Sequence, residues 1–283
     1  MADSTPTVLL NDGHTIPQLG FGVYKVPDLA STEIVRTALE VGYRHIDTAS
    51  LYGNERGTGV AIRESGIPRD ELFVTTKVWN TDQGYEETLR ALDTSLDLLG
   101  LDHVDLYLIH WPAPGQDRYR ETWRALERLR AEGRTRSIGV SNFHRSHLER
   151  LLESAEVTPA VNQIELHPFL PQRELRAVNA AHGIATEAWS PLARGRFFTP
   201  DADGSDVTSD LGAIARKHGR TVAQVVLRWH LQLGNIVIPK SATPARIAEN
   251  FAVFDFTLDA DDLAAVSALE NGERTGTDPD RLD

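Results

Sequence analysis

The sequence predicts an α/β protein, a (β/α)8 TIM barrel with an N-terminal β-hairpin and extra C-terminal helices. Three observations predict it. Strand-like and helix-like stretches alternate eight times along the chain. The strand-like runs are mostly continuous apolar runs, as expected of strands buried on both faces of a parallel sheet. Successive runs deliver Asp47, Lys77 and His110, and barrels gather their reactive groups after the C-terminal ends of their strands.

The hairpin comes first. Asn11-Asp12-Gly13 is a turn between Val8-Leu9-Leu10 and Ile16-Pro17. Leu19 to Val23 is the first barrel strand. Ser31 to Gly42 follows as a helix, with Ile34, Val35, Ala38 and Leu39 on one face and Gly42 as its stop. Tyr43 to Asp47 is the second strand, and Asn54 to Gly66 its helix. Phe73 to Val78 is the third strand. In the helix Tyr85 to Leu99, Leu89, Leu92, Leu96 and Leu99 keep three-to-four spacing, and Gly100 ends it. Val104 to His110 is the fourth strand, followed by a helix near Asp117 to Glu132. The fifth strand is Ser137 to Ser141, with a helix near Arg145 to Ser154. The sixth is Ala160 to Leu166, with a helix near Arg173 to His182. Ala185 to Trp189 is the seventh, followed by helices near Ser209 to His218 and Val222 to Leu233. Asn235 to Pro239 is the eighth. Helices near Pro244 to Val253 and Ala260 to Leu269 precede a polar tail from Asn271. A doubly wound sheet is the rival. It would show a third glycine and a helix after Gly20-Phe21-Gly22, and neither is there.

A chain of 283 residues without a long polar linker or a solenoid-spaced repeat suits one domain over 1–283. The net charge of -12 argues against nucleic acid, and makes any anionic ligand depend on a local basic cluster. No apolar run is long enough for a membrane span, and the first residues lack the features of a secretory signal. The sequence has no cysteine, which removes disulfides, thiolate metal sites and a Cys nucleophile and fits the cytoplasm. No exposed apolar stripe asks for a partner, so a monomer is expected.

Asp47, Tyr52, Lys77 and His110 combine into one chemistry. A phenol is a poor acid, with a pKa of about 10. An ammonium nearby lowers that value. Lys77 can supply it, and Asp47 can hold Lys77 charged. His110 can offer a ring N–H to a carbonyl oxygen. The set contains no attacking nucleophile, and a hydride from a bound cofactor fits. Each residue has a plainer reading as a buried ion pair, a packing aromatic or a satisfied polar group. Their coincidence on adjacent strand ends favours function. Thr243 followed by Pro244 starts a helix just after Lys240-Ser241, and Arg246 lies close by. That combination is a phosphate site. Tyr24, Trp79 and Trp111 follow the first, third and fourth strands and can wall a substrate pocket. His144 and His147 are three apart at a helix start with no evident third ligand, so no metal is expected.

Gly42-Tyr43-Arg44-His45-Ile46-Asp47-Thr48-Ala49 and Tyr52-Gly53-Asn54-Glu55 resemble the signature of the aldo-keto reductases. Thr76-Lys77-Val78-Trp79, the run Leu106 to Pro112, Gly139 to Phe143, Asn162 to Pro168 and Ile238 to Ser241 match further motifs of that family. The stretch Trp189-Ser190-Pro191-Leu192 and the C-terminal region are most similar to the bacterial 2,5-diketo-D-gluconate reductase branch. The resemblance implies an NADPH-dependent enzyme that reduces the carbonyl of an aldehyde, ketone, dicarbonyl or keto sugar. It implies Tyr52 as general acid, tuned by Lys77 and Asp47, with His110 orienting the carbonyl. It also implies Ser141, Asn142 and Gln163 at the carboxamide, Trp189 stacked on the nicotinamide, and Ser190 and Leu192 beside the pyrophosphate. Lys240, Ser241 and Arg246 would grip the 2′-phosphate, with Glu249 and Asn250 at the adenine. The segment Ala193 to Phe198 departs from the family pattern, and leaves Phe197 and Phe198 as either lid contacts or core. The alternative is an NADPH-binding interaction or regulatory protein with little turnover, and the intact four-residue set argues against it.

Overall fold

The computed structural model describes residues 5–198 and 209–283. A two-stranded antiparallel hairpin opens it, β1 (Thr7–Leu9) and β2 (Thr15–Pro17). The parallel strands follow: β3 (Phe21–Gly22), β4 (His45–Asp47), β5 (Phe73–Val78), β6 (Val104–Ile109), β7 (Thr135–Ser141), β8 (Val161–Glu165), β9 (Ala185–Trp189) and β10 (Ile236–Val237). They pair strictly in chain order, β3 to β10. The seam between first and last is closed by a parallel bridge from Leu19 to Val237. Gly20 N–H donates to the Val237 carbonyl at 2.8 Å and Gly22 N–H to the Pro239 carbonyl at 3.1 Å.

Two glycines make that seam possible. A Cβ on Gly20 would lie 2.4 Å from His45 Nδ1, and one on Gly22 would lie 3.1 Å from the Ile238 carbonyl oxygen. Gly20-Phe21-Gly22 is therefore a close-approach element of a barrel rather than a nucleotide-binding turn.

The helices between the strands are α1 (Asp28–Val41), α2 (Glu55–Glu64), α3 (Tyr85–Leu99), α4 (Tyr119–Ala131), α5 (Arg145–Leu152) and α6 (Arg173–Ala181). After β9 come α7 (Ser209–His218) and α8 (Val222–Gln232). After β10 come α9 (Pro244–Phe251) and α10 (Ala260–Ser267). Their apolar faces pack on the outside of the barrel and form one large core with residues such as Val35, Leu96, Tyr107, Trp123 and Trp229. A second cluster fills the barrel floor. There Leu10 and Ile16 of the hairpin region meet Phe73, Leu106, Leu108, Val161 and Ile236. The hairpin thus plugs the N-terminal end, and the opposite end is left for the site.

The expected elements are all present, with differences at their ends. The first and last strands pair over only two residues each, because the rest of their length meets the seam as single hydrogen bonds. Helix α1 starts three residues earlier than its apolar face suggests. Its first turn, with Leu29 exposed, carries no buried apolar side chain and is fixed by Asp28, whose carboxylate accepts from Gly57 N–H at 2.9 Å. Thr243 occupies the N-cap position of α9 but makes no side-chain cap. Ser241 Oγ instead accepts the Thr243 N–H at 3.1 Å. No helix among the described residues is long and apolar enough to cross a membrane.

Candidate active site

Strand β4 ends on Asp47, β5 carries Lys77 as its penultimate residue, and β6 delivers His110 one residue past its end. Side chains alternate along a strand, so Asp47 and Lys77 project from neighbouring strands into the same interior. Tyr52 comes from a 3-10 turn, Ser50–Tyr52, closed by Gly53 at φ 64. Asn54 fixes the shape of that loop. Its amide N donates to the carbonyls of Val23 and Val26 at 2.9 Å each, and its Oδ1 accepts from Thr48 Oγ1 at 2.8 Å.

Lys77 is fully buried. Its ammonium donates to Asp47 Oδ1 at 2.6 Å, to the Thr48 carbonyl at 2.9 Å and to the Tyr52 hydroxyl at 3.5 Å. Burial works against this charge. The Asp47 carboxylate and Tyr52 outweigh it, and the Lys77 pKa ends above its ordinary value. Tyr52 is half-buried as a residue, but its hydroxyl end lies deep beside Lys77. Burial pushes its pKa up to about 12, Lys77 pulls it down and Asp47 raises it again. Lys77 thus acts in the expected direction, while desolvation dominates the sum.

His110 is neutral. Burial, and then the Lys77 charge, hold its pKa well below the ordinary value. Its ring meets Tyr52 edge-on at 5.5 Å and Trp79 edge-on at 5.1 Å. Asn142 ties the neighbouring residues together. Its amide N donates to the His110 carbonyl at 2.9 Å, and its Oδ1 accepts the Trp189 indole N–H at 2.8 Å. Ser141 Oγ donates to the Gln163 carbonyl at 2.8 Å. The Gln163 amide N donates to Asp47 Oδ2 and to Glu187 Oε2, both at 2.8 Å.

One cavity of ≈ 940 Å³ opens at this end of the barrel. It is lined by the catalytic candidates Asp47, Tyr52 and His110, and by the expected substrate walls Tyr24, Trp79 and Trp111. All eleven expected cofactor residues, from Ser141 to Asn250, line it as well. Lys77 alone of the expected site residues stays behind the wall. The cavity also takes in Phe198, and with it Lys25, Leu51, Arg194, Thr277 and Leu282, to which the sequence reading gave no role. Four cations therefore border it, Lys25, Arg194, Lys240 and Arg246. Neither Lys240 nor Arg246 is in an ion pair among the described residues. Lys25, Asn142, Ser190 and Arg194 all hold left-handed backbone, at φ 60, 64, 49 and 52. Strain of this kind gathers at binding sites, and a lysine or an arginine gives no sign of it in the sequence. The two phenylalanines divide: Phe197 is core, packed on Phe169 at 4.6 Å, and Phe198 is exposed at the mouth.

The polar tail folds back over the mouth. The Glu165 carboxylate accepts from Thr275 N–H and Thr275 Oγ1 at 2.6 Å each, and from Gly276 N–H at 3.2 Å. A Cβ on Gly276 would lie 2.4 Å from the Trp189 ring, so the tail lies directly against that indole. Further along, Asp280 Oδ1 sits 3.1 Å from His144 Nδ1 and 3.3 Å from His147 Nε2. An acid therefore does join the two histidines, against expectation, and it arrives from 136 residues away. The hydrogen bonds define the trio as a clamp. His147 Nδ1 accepts the His144 backbone N–H and His144 Nε2 faces an Arg274 guanidinium nitrogen at 3.1 Å. The ring nitrogens that meet Asp280 are thereby placed as donors to its carboxylate, and the trio pins the tail to the start of α5.

A buried phenol–ammonium–carboxylate chain facing a barrel-mouth cavity, with a neutral imidazole beside it, defines an oxidoreductase of carbonyl groups. Comparison with known proteins gives the family. The Aldo/keto reductase family matches residues 18–271. The chain is 52% identical over 276 residues to the methylglyoxal reductase DkgA of Yersinia pestis, covering 97% of this chain and 96% of that one. It is 51% identical over 277 residues to the glyoxal reductase of Bacillus subtilis, covering 98% and 97%. The crystal structure of a Gox0644 mutant in complex with NADPH superposes with a TM-score of 0.92 at 48% identity, covering 99% of this chain and all of that one. The protein belongs to the aldo/keto reductase family.

Proposed function

We propose that the protein reduces small aldehydes and 1,2-dicarbonyls, methylglyoxal and glyoxal among them, with NADPH as hydride donor and Tyr52 as general acid. The observation that carries this is the Tyr52 hydroxyl, placed 3.5 Å from the Lys77 ammonium at the floor of a cavity with cations on its rim. The names of the Yersinia and Bacillus relatives support the substrate class, and the NADPH complex of Gox0644 supports the cofactor.

The residues present fit that cofactor. Lys240 and Arg246, without an ion pair among the described residues, flank the start of α9, where backbone N–H groups also favour a phosphate. They would hold the 2′-phosphate together with Ser241, with Glu249 and Asn250 beside the adenine. Ser190 and Leu192 would border the pyrophosphate. Trp189 would stack on the nicotinamide, with Ser141, Asn142 and Gln163 at its carboxamide. NADPH, when bound, supplies a hydride to the carbonyl carbon. Tyr52 supplies the proton to the carbonyl oxygen, and Lys77 stabilises the phenolate left behind. Neutral His110 orients the carbonyl with a ring N–H. Tyr24, Trp79 and Trp111 exclude water around the reacting group. A monomer is the working unit in this reading, since each residue given a role in it belongs to this chain.

The test is NADPH oxidation, followed over methylglyoxal, glyoxal, an aromatic aldehyde and a keto sugar. The highest kcat/KM is expected for the dicarbonyls. No NADPH-dependent turnover of any carbonyl would sink the reading, and a clear lead for the keto sugar would move the substrate class.

A further inference from the structure

Glu187 lies in the middle of β9, fully buried inside the barrel. A buried carboxyl without a cation of its own requires an account. Its Oε2 accepts from Gln163 Nε2, the nitrogen that also donates to Asp47 Oδ2. Among the described residues its Oε1 has no hydrogen-bond partner, and His45 Nε2, which is 3.2 Å from Thr75 Oγ1, stands 3.6 Å away. The titratable groups facing it are His45 and Asp47 of β4 and Lys77 of β5. Strand β8 brings the neutral Gln163, and β10 brings only Ile236 and Val237.

Lys77 is already matched by Asp47, so a charge on Glu187 would have no counter-ion. His45 cannot supply one, since burial and Lys77 push its pKa down to about 3. Burial, and then the Asp47 carboxylate, push the Glu187 pKa up to about 8. The contacts fit a neutral acid with its proton on Oε1, the oxygen that accepts from no donor, and Oε2 free to accept from Gln163. Both Gln163 N–H groups then go to carboxyl oxygens. The amide oxygen of Gln163 is the group left for the cavity, and it is an acceptor that a carboxamide NH2 can use.

We propose that Glu187 is a positioning acid that works in its neutral form, fixing the Gln163 amide and Asp47 behind Tyr52, and that its ionisation weakens Tyr52 as a proton donor. This rests on the carbonyl-reductase reading above. In the reducing step the Tyr52 O–H bond breaks, an O–H bond forms on the carbonyl oxygen, and a phenolate remains beside Lys77. With Glu187 neutral, the phenolate is the one uncompensated negative charge of the set. With Glu187 ionised it is the second, and like charge disfavours it.

The experiment has two arms. The first is the pH profile of kcat/KM for NADPH-dependent methylglyoxal reduction in wild type, Glu187→Gln and Glu187→Ala. Wild type is expected to lose activity above about pH 8. Glu187→Gln should move that limb upwards by about one pH unit or more and keep NADPH affinity within about twofold. Glu187→Ala, which frees Gln163, should weaken NADPH by about tenfold. An unmoved limb in a folded Glu187→Gln protein would overturn the proposal. The second arm is an infrared pH titration of the protein without cofactor. A protonated-carboxyl C=O band that vanishes near pH 8 and is missing from Glu187→Gln is expected. If the wild-type band is absent at about pH 6, the proposal fails whether or not the variants fold. Wild type that turns over no carbonyl would sink the functional reading instead, and the infrared arm would still decide Glu187.

Discussion

The Lys77 ammonium stands 2.6 Å from Asp47 Oδ1 and is fully enclosed, so the pair forms a fixed dipole aimed at the Tyr52 hydroxyl. Tyr52→Phe keeps the ring and removes the proton. Carbonyl reduction should fall by about 10²-fold or more, with NADPH binding nearly unchanged. Steady-state kinetics beside cofactor titration checks this, and activity within a few-fold of wild type would exclude Tyr52 as the donor.

Lys77→Met tests the tuning. Lys77 lowers the Tyr52 pKa against the larger, opposing effect of burial. Its removal therefore makes Tyr52 a weaker acid, so turnover should drop and any Tyr52-controlled alkaline limb should move upwards. Asp47 would also be left as a buried charge without its ammonium, a loss worth about 3–5 kcal/mol. The double change Asp47→Asn with Lys77→Met should recover part of that stability in a denaturant titration and none of the activity. Recovery of activity would make the pair structural only.

Arg246→Ala should weaken NADPH much more than NADH. Charge-assisted contacts of this kind are worth about 1.5–3 kcal/mol, so wild type should prefer NADPH by about tenfold or more. Quenching of intrinsic fluorescence, with Trp189 lining the cavity, provides the titration. Equal losses for the two cofactors would mean that Arg246 does not read the 2′-phosphate.

Glu165→Gln should loosen the tail. Burial raises the pKa of this carboxyl, but hydrogen bonds from His167 and Thr275 outweigh it, and the sum is below the ordinary value. Its contribution is thus complete above the usual carboxylate range and is lost as pH falls through the lowered value. At neutral pH the variant should be cut faster than wild type by trypsin after Arg274, whose guanidinium faces Glu165 at 3.7 Å. Equal cutting rates would show that Glu165 does not hold the tail.

Much of this was legible in the sequence because it is local. Apolar runs mark the strands, and the four reactive residues stand at the ends of three of them. The cations Lys240 and Arg246 sit a few residues from Pro244, which starts a helix. What was not legible depends on distance and register. Nothing near Glu187 says that it shares a glutamine with Asp47, since that follows from strand pairing and from facing across the barrel. Asp280 meets the two histidines only because the tail returns over the mouth. That tail is polar and without period, so Thr277 and Leu282 gave no sign of lining the cavity. The start of α1 was hidden because its first turn leaves Leu29 exposed and so adds nothing to the buried face that the spacing reveals.

The site combines two kinds of positive charge. Lys77 is sealed from solvent, whereas Lys240 and Arg246 are exposed at the rim. Dissolved ions screen exposed charges over about 8–10 Å at ordinary ionic strength and reach buried pairs far less. Added potassium chloride should therefore raise the KM for NADPH while leaving the pH profile of a saturated enzyme in place. Ionic strength becomes a way to separate cofactor capture from proton delivery without altering a residue.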